Sequence, residues 1–189
     1  MKAWILKYID RNLNKDFKWI SAIFFFSLSG TYLFFVTKEA AFLGFEMEFG
    51  PRIIGLFTLG FLYGNLINFS MSFLISLTGK LFNAKFKFKS TMKSMYVAYK
   101  PHLITFLLII VKLTIVYFSS TNPNFGELLF IKILMVFIDL AIGMIGILSI
   151  IILFICLKRT QELSLGKTIL NYLAAGILNA PIYIWAIGI

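Results

Sequence analysis

The residues in this chain that could do chemistry are few, and most of them stand alone. There is one histidine, His102, and one cysteine, Cys156. That leaves no HExxH pair for zinc, no thiolate cluster and no intrachain disulfide. His102 follows Pro101 at the mouth of an apolar run, where it reads as an interfacial residue. Asp139, in FIDLAIG, has no second aspartate within the apolar runs, so no aspartic dyad can form. Ser27 and Ser149 have no base at a useful spacing, and no strand pattern precedes a glycine-rich phosphate loop. These residues predict no catalytic group, no metal and no cofactor. Lys112 and Asp139 are left. Each lies about ten residues, hence ~15 Å, inside an apolar run. A lone charge at that depth costs at least ~2.5–3.5 kcal/mol, so opposite charges on consecutive runs are expected to meet. A structural pair is the first reading and a proton or ion relay the second. Lys132 lies one turn from the end of its run and can snorkel. Asn65, Asn68, Asn171 and Asn179 could extend the pair as interhelical hydrogen bonds.

The elements that must carry these residues are membrane spans. The chain has 189 residues, 60% of them hydrophobic and 17% aromatic, with a mean hydropathy of +0.91, which a soluble domain with a polar surface could not sustain. The expected fold is an all-α integral membrane protein with five transmembrane helices. Residues 1–18 form a short cytoplasmic interfacial helix, with Trp4, Ile5, Tyr8 and Ile9 on one face. Residues 19–189 form a single five-span membrane domain. Its spans are Trp19 to Val36, Ile53 to Gly79, His102 to Ser120, Leu128 to Leu157 and Thr168 to Ile189. The first is too long for a signal-peptide core of about 7–15 residues. Lys38 to Arg52 reads as a mixed loop broken by Gly50-Pro51, its Glu39, Glu46 and Glu48 in water and Phe42, Phe45 and Phe49 dipping into the interface. Ser119 to Glu127 reads as a turn built on Asn122-Pro123-Asn124. In the second span Gly60, Gly64, Asn68, Ser72 and Ser76 recur every fourth residue as a ridge of small and polar groups. Such a ridge lets another helix approach closely, within the chain or, less favoured, at a homodimer seam.

Charge orients the whole. Between the second and third spans, Lys80, Lys85, Lys87, Lys89, Lys93 and Lys100 occur with no acid among them. Wound as a helix, Phe88, Met92, Met95, Tyr96 and Tyr99 share one face with lysines along its edge, predicting a basic amphipathic helix lying on the membrane. Lys85, Lys87, Lys89 and Lys93 would then bind anionic lipid headgroups or an acidic partner, or the stretch only anchors its flanking spans. The formal net charge of +10 does not indicate nucleic acid, because the cations cluster at the ends of apolar runs. The segments 1–18, 80–100 and 158–167 carry nearly all the lysines and arginines outside the spans. The positive-inside rule therefore places the N-terminus in the cytoplasm and the C-terminus outside.

The stretch FKSTMKSMYVAYKPHLI, a Phe-Lys pair leading through an amphipathic turn to Tyr99 and Pro101 at a span mouth, resembles the YIP family of Ypt/Rab-interacting-type membrane proteins. LKRTQELSLGKTILNY, where Leu163-Ser164 and Gly166-Lys167 return the chain to the membrane, resembles the bacterial branch of that family. The resemblance runs from about Trp19 onward. It implies a five-span fold with a cytoplasmic N-terminus in a bacterial plasma membrane. The expected function is non-enzymatic: an accessory or scaffold for another membrane protein or for membrane organisation. The alternative is a small transporter or channel subunit using Lys112 and Asp139.

Overall fold

The computed structural model describes the backbone of residues 2–44, 49–84 and 87–188, and the side chains of 3–37, 49–84, 87–122 and 124–186. Every regular element among them is helical: α1 (Lys2–Leu13), α2 (Trp19–Gly44), α3 (Phe49–Thr78), α4 (Phe88–Tyr99), α5 (His102–Thr121), α6 (Pro123–Glu127), α7 (Leu129–Gln161) and α8 (Leu165–Gly188). Five of them, α2, α3, α5, α7 and α8, are long and apolar enough to cross a bilayer. The chain is an all-α membrane protein.

The connections depart from the expected ones. The Lys38 to Arg52 loop is mostly helix, because α2 continues to Gly44 and α3 begins at Phe49. Gly50-Pro51 opens α3 instead of breaking the chain: Pro51 sits in the first turn, where its missing N–H has no intrahelical acceptor to leave bare. The side chains of Lys38, Glu39, Phe42, Phe45, Glu46 and Glu48 lie outside the described residues. At the other end of α3 a short 3₁₀ turn, Gly79–Phe82, closes on Asn83 in the left-handed region at φ 67°. Asn122-Pro123-Asn124 starts the short helix α6, with proline at its first position, where the expected turn stood.

The largest departure concerns α4. Met92, Met95, Val97 and Ala98 are wholly buried, and α1, α2, α3 and α7 all pack against this helix. Its apolar face is therefore taken up by protein, not by lipid. Polar side chains fix the seat: Thr91 accepts from Ser76 at 2.9 Å, Ser94 pairs with Thr160 at 2.9 Å, and the Ser72 hydroxyl meets the Met95 sulfur at 2.8 Å. α1 is drawn in likewise. Ile5 and Ile9 are buried in the same cluster as Met92 and Cys156, and the Tyr8 hydroxyl donates to the Val97 carbonyl at 3.0 Å. Only Trp4 of its apolar face stays exposed. Lys100 donates to Asn12 at 2.6 Å, Arg159 pairs with Asp10, and Lys87 pairs with Glu162 at 2.7 Å. These contacts gather α1, α4 and the turn between α7 and α8 at one end of the molecule. A second core cluster, with Phe35, Leu56, Leu113 and Ile142, fills the bundle towards the other end.

Candidate functional site

Lys112 on α5 and Asp139 on α7 meet, the Lys112 Nζ donating to Asp139 Oδ1 at 2.5 Å. The two partners differ in setting. The Lys112 side chain is 4% exposed and lies 5.6 Å from the Phe35 ring centre, whereas that of Asp139 is 52% exposed. Asp139 thus satisfies a buried ammonium while keeping a face towards the surroundings of the bundle. One turn on, at Gly143, an added Cβ would meet nothing within 4 Å. By contrast, Gly146 is covered by the Tyr32 ring, whose Cζ would lie 3.1 Å from an added Cβ.

The ridge on α3 is spent inside the chain. Gly60 and Gly64 face α2, where a Cβ on Gly64 would lie 2.7 Å from Gly30 Cα and one on Gly60 2.8 Å from Thr31 Cα. The two backbones can approach this closely only because side chains are absent on both sides. Asn68 then donates to Ser29 at 2.7 Å, while Ser72 and Ser76 turn to α4. Gly30 was not singled out in the sequence. The spacing Ser27, Gly30, Thr31 is a small-residue pattern that matches Gly60 and Gly64.

The asparagines do not extend the charged pair. Asn65 donates to Ser27 at 2.9 Å and so stitches α2 to α3. Asn171 and Asn179 instead join α8 to α3. Asn171 accepts from Thr78 at 2.5 Å and donates to the Ile75 carbonyl at 3.1 Å and to Gln161 at 2.9 Å, while Asn179 accepts from Ser70 at 2.7 Å. Gln161, the last residue of α7, was another member of this network that its sequence position did not mark.

Of the four basic-helix lysines, Lys85 lies outside the described residues. Lys87 is tied to Glu162, Lys89 is exposed and Lys93 is half-buried on the outward side of α4. Lys132, expected to snorkel, pairs with Glu127 at 2.7 Å. That contact holds the Glu127 carboxyl below its ordinary range, first through the hydrogen bond and then through the lysine's charge.

His102, the first residue of α5, is buried in protein. It is 3% exposed, stacked on Tyr32 at 4.7 Å with Tyr99 at 5.6 Å, and its Nδ1 has no hydrogen-bond partner among the described residues. The cause is long-range: Tyr32 arrives from α2 and roofs the ring. His102 lines a cavity of about 390 Å³ enclosed by α2, α3, α7, α8 and the ends of α4 and α5. Lys112 and Asp139 are not on its wall. Among the described residues no cluster of three or more histidine, cysteine or acidic side chains could hold a metal ion.

No family model, curated protein or solved structure matches the chain.

Proposed function

We propose that the chain is a non-enzymatic accessory or scaffold protein that holds another membrane protein through the outer face of α7. The observation that carries this reading is Asp139, a carboxylate 52% exposed near the middle of a span. A charged group facing hydrocarbon is costly even when one oxygen is paired, and a partner helix bringing a hydrogen-bond donor relieves that cost. Gly143, open and one turn away, gives such a helix room to come close. Elsewhere this face is plain hydrocarbon, with Val136, Leu140, Met144 and Ile147 exposed.

In this reading the end that gathers α1, α4 and the α7–α8 turn faces the cytoplasm, since it carries most of the cations. Lys89 and Lys93 then meet anionic headgroups. The resemblance to the bacterial branch of the YIP family, resting on the two stretches quoted above, supports a bacterial plasma membrane. A transporter or channel working through Lys112 and Asp139 would need the pair to line a path. Neither residue lines the cavity, so no observation favours that alternative.

A photo-crosslinking amino acid at Met144, activated in native membranes, tests the proposal. The expected product is a discrete adduct to a second polypeptide of different mass, lost on Asp139→Leu. An adduct of twice the chain's mass would make the face a self-interface and overturn the heterologous partner. Adducts to lipid alone would remove the scaffold reading.

A further inference from the structure

Where the chain passes from α1 to α2 it borders a recess of about 560 Å³, lined by Lys15, Asp16, Lys18 and Ser21 and, from the end of α4, by Tyr96 and Lys100. Three lysines share this wall with one aspartate, a formal excess of two positive charges. The side chains of Lys15, Asp16, Lys18 and Ser21 make no hydrogen bond or ion pair among the described residues. Lys87 and Arg159, by contrast, are already matched by Glu162 and Asp10. The cations of the recess are therefore left to an anion from outside the chain.

These lysines do not hang from a loose loop. The Asn14 N–H donates to the Asp10 carbonyl at 3.1 Å as α1 ends, and Phe17 packs edge-on against Trp19 at 5.2 Å and Tyr96 at 6.2 Å. Lys100 is set in place by two contacts: its Nζ donates to Asn12 at 2.6 Å and lies 4.5 Å from the Tyr96 ring centre. Asn12 is itself buried and donates to the Tyr8 carbonyl at 2.8 Å. An ammonium has three N–H groups, so Lys100 keeps donors for the recess that it lines. The position of the recess then narrows the class of anion. α2 is a span that starts at Trp19, which puts the recess at the level where hydrocarbon gives way to water. Below it, Ile20, 84% exposed, and Phe24, also exposed, lie one turn apart and share a side of α2 next to Ser21. An anion held among the lysines thus has an apolar strip beneath it along which a hydrocarbon chain can lie.

We propose that this recess seats one anionic phospholipid per chain. Its phosphate is held by Lys15, Lys18 and Lys100, the Ser21 hydroxyl donates to a phosphate oxygen, and an acyl chain lies along Ile20 and Phe24. A zwitterionic lipid offers the same phosphate but adds a cation to a wall already in positive excess, so it binds less well. Asp16 opposes the charge of the ligand and limits the affinity. The seat is independent of the Asp139 face, and its failure would leave the reading of α7 as it stands.

The test is native mass spectrometry of the full chain in a neutral detergent, titrated with dioleoylphosphatidylglycerol or with dioleoylphosphatidylcholine, which has the same chains. The phosphatidylglycerol adduct should saturate first at one per chain and bind at least tenfold more tightly than phosphatidylcholine. Each lysine near an anionic group is worth about a fivefold change in affinity, so Lys15→Gln with Lys18→Gln should weaken that first adduct about 25-fold. Both side chains are exposed, and the melting temperature of the variant should hold. Asp16→Asn should act in the opposite direction and strengthen binding about fivefold. Lys89→Gln with Lys93→Gln, which acts on the membrane surface as a whole, should leave the first adduct unchanged. Equal affinity for the two lipids, or undiminished binding in the Lys15 and Lys18 variant, overturns the proposal. An equal loss in the Lys89 and Lys93 variant does so too, since it would reduce the effect to diffuse surface charge. Displacement of the lipid by glycerol 3-phosphate at equal concentration would assign the recess to a soluble phosphate and overturn the lipid.

Discussion

An ion pair whose two members differ in burial does not respond equally to the loss of either. Asp139→Asn takes the paired carboxylate from an ammonium that is 4% exposed beside Phe35, whereas Lys112→Met leaves a carboxylate that is already half exposed. We expect Asp139→Asn to cost about 3–5 kcal/mol of unfolding free energy in detergent and Lys112→Met distinctly less. The double variant should recover much of the larger loss, with a coupling energy in a double-mutant cycle; purely additive effects would deny the pair. A second expectation concerns Tyr8, outside the spans, whose hydroxyl is pushed well above its ordinary value of 10, first by burial and then by the neighbouring Cys156 and Tyr96. The neutral form is favoured by folding, so its contribution is fully present below pH 10. It is lost as the pH rises beyond that, because the unfolded phenol ionises first. Phenolate absorbance at 295 nm should therefore leave Tyr8 untitrated until alkaline unfolding, and Tyr8→Phe should remove that step. The Lys112–Asp139 contact was legible because charges in apolar runs have few partners and helix rise gives their depth. The burial of His102 was not, because it depends on a tyrosine seventy residues away.

Helix packing makes the glycines unequal. A methyl on Gly30 or Gly64 would press into the backbone of the facing helix, as the 2.7 Å approach to Gly30 Cα indicates, and α2 and α3 would have to part. Gly64→Ala should cost about 1–3 kcal/mol in thermal or denaturant unfolding, while Gly55→Ala, where nothing lies within 4 Å, should be neutral or slightly stabilising. The ridge on α3 could be read from its four-residue spacing. The small residues of α2 that receive it could not, since pairing two such patterns needs the relative height of two helices. For α4 the sequence displayed an apolar face and suggested lipid as its cover, where the structure has protein. Lipid and protein are alike to a methionine, and only the hydroxyls of Thr91 and Ser94, set within that face, hinted at a protein neighbour. The outward lysines are a separate matter. Changing Lys89 and Lys93 to Gln should weaken binding to anionic liposomes by roughly 1 kcal/mol per lysine while the melting temperature holds. Unchanged binding would reduce the stretch to a topology anchor.

At the scale of the molecule, five runs of membrane length were enough to predict five spans, because an isolated chain in a bilayer must satisfy its backbone within helices. What lay between the runs was harder: α2 runs past Glu39 to Gly44 and α3 carries Pro51 in its first turn, where polarity and proline suggested a loop and a break. Orientation is testable without a known activity. On a Cys156→Ala background, an impermeant maleimide in intact cells should label Asn124→Cys and reach Lys89→Cys only after permeabilisation; the reverse pattern would invert the molecule. The position of α4 also bears on how the protein is made. Its cover is completed by α7, whose Ile152, Leu153, Cys156 and Leu157 share its core and whose Thr160 bonds to Ser94. Synthesis proceeds from the N-terminus, so α4 leaves the ribosome long before that cover exists. In the interval its methionine face has α1, α2 and α3 to rest on and lacks only the side that α7 supplies. The side of α4 that faces α7 is therefore the last part of its seat to form, and the bond between Ser94 and Thr160 can close only once the fourth span has been made.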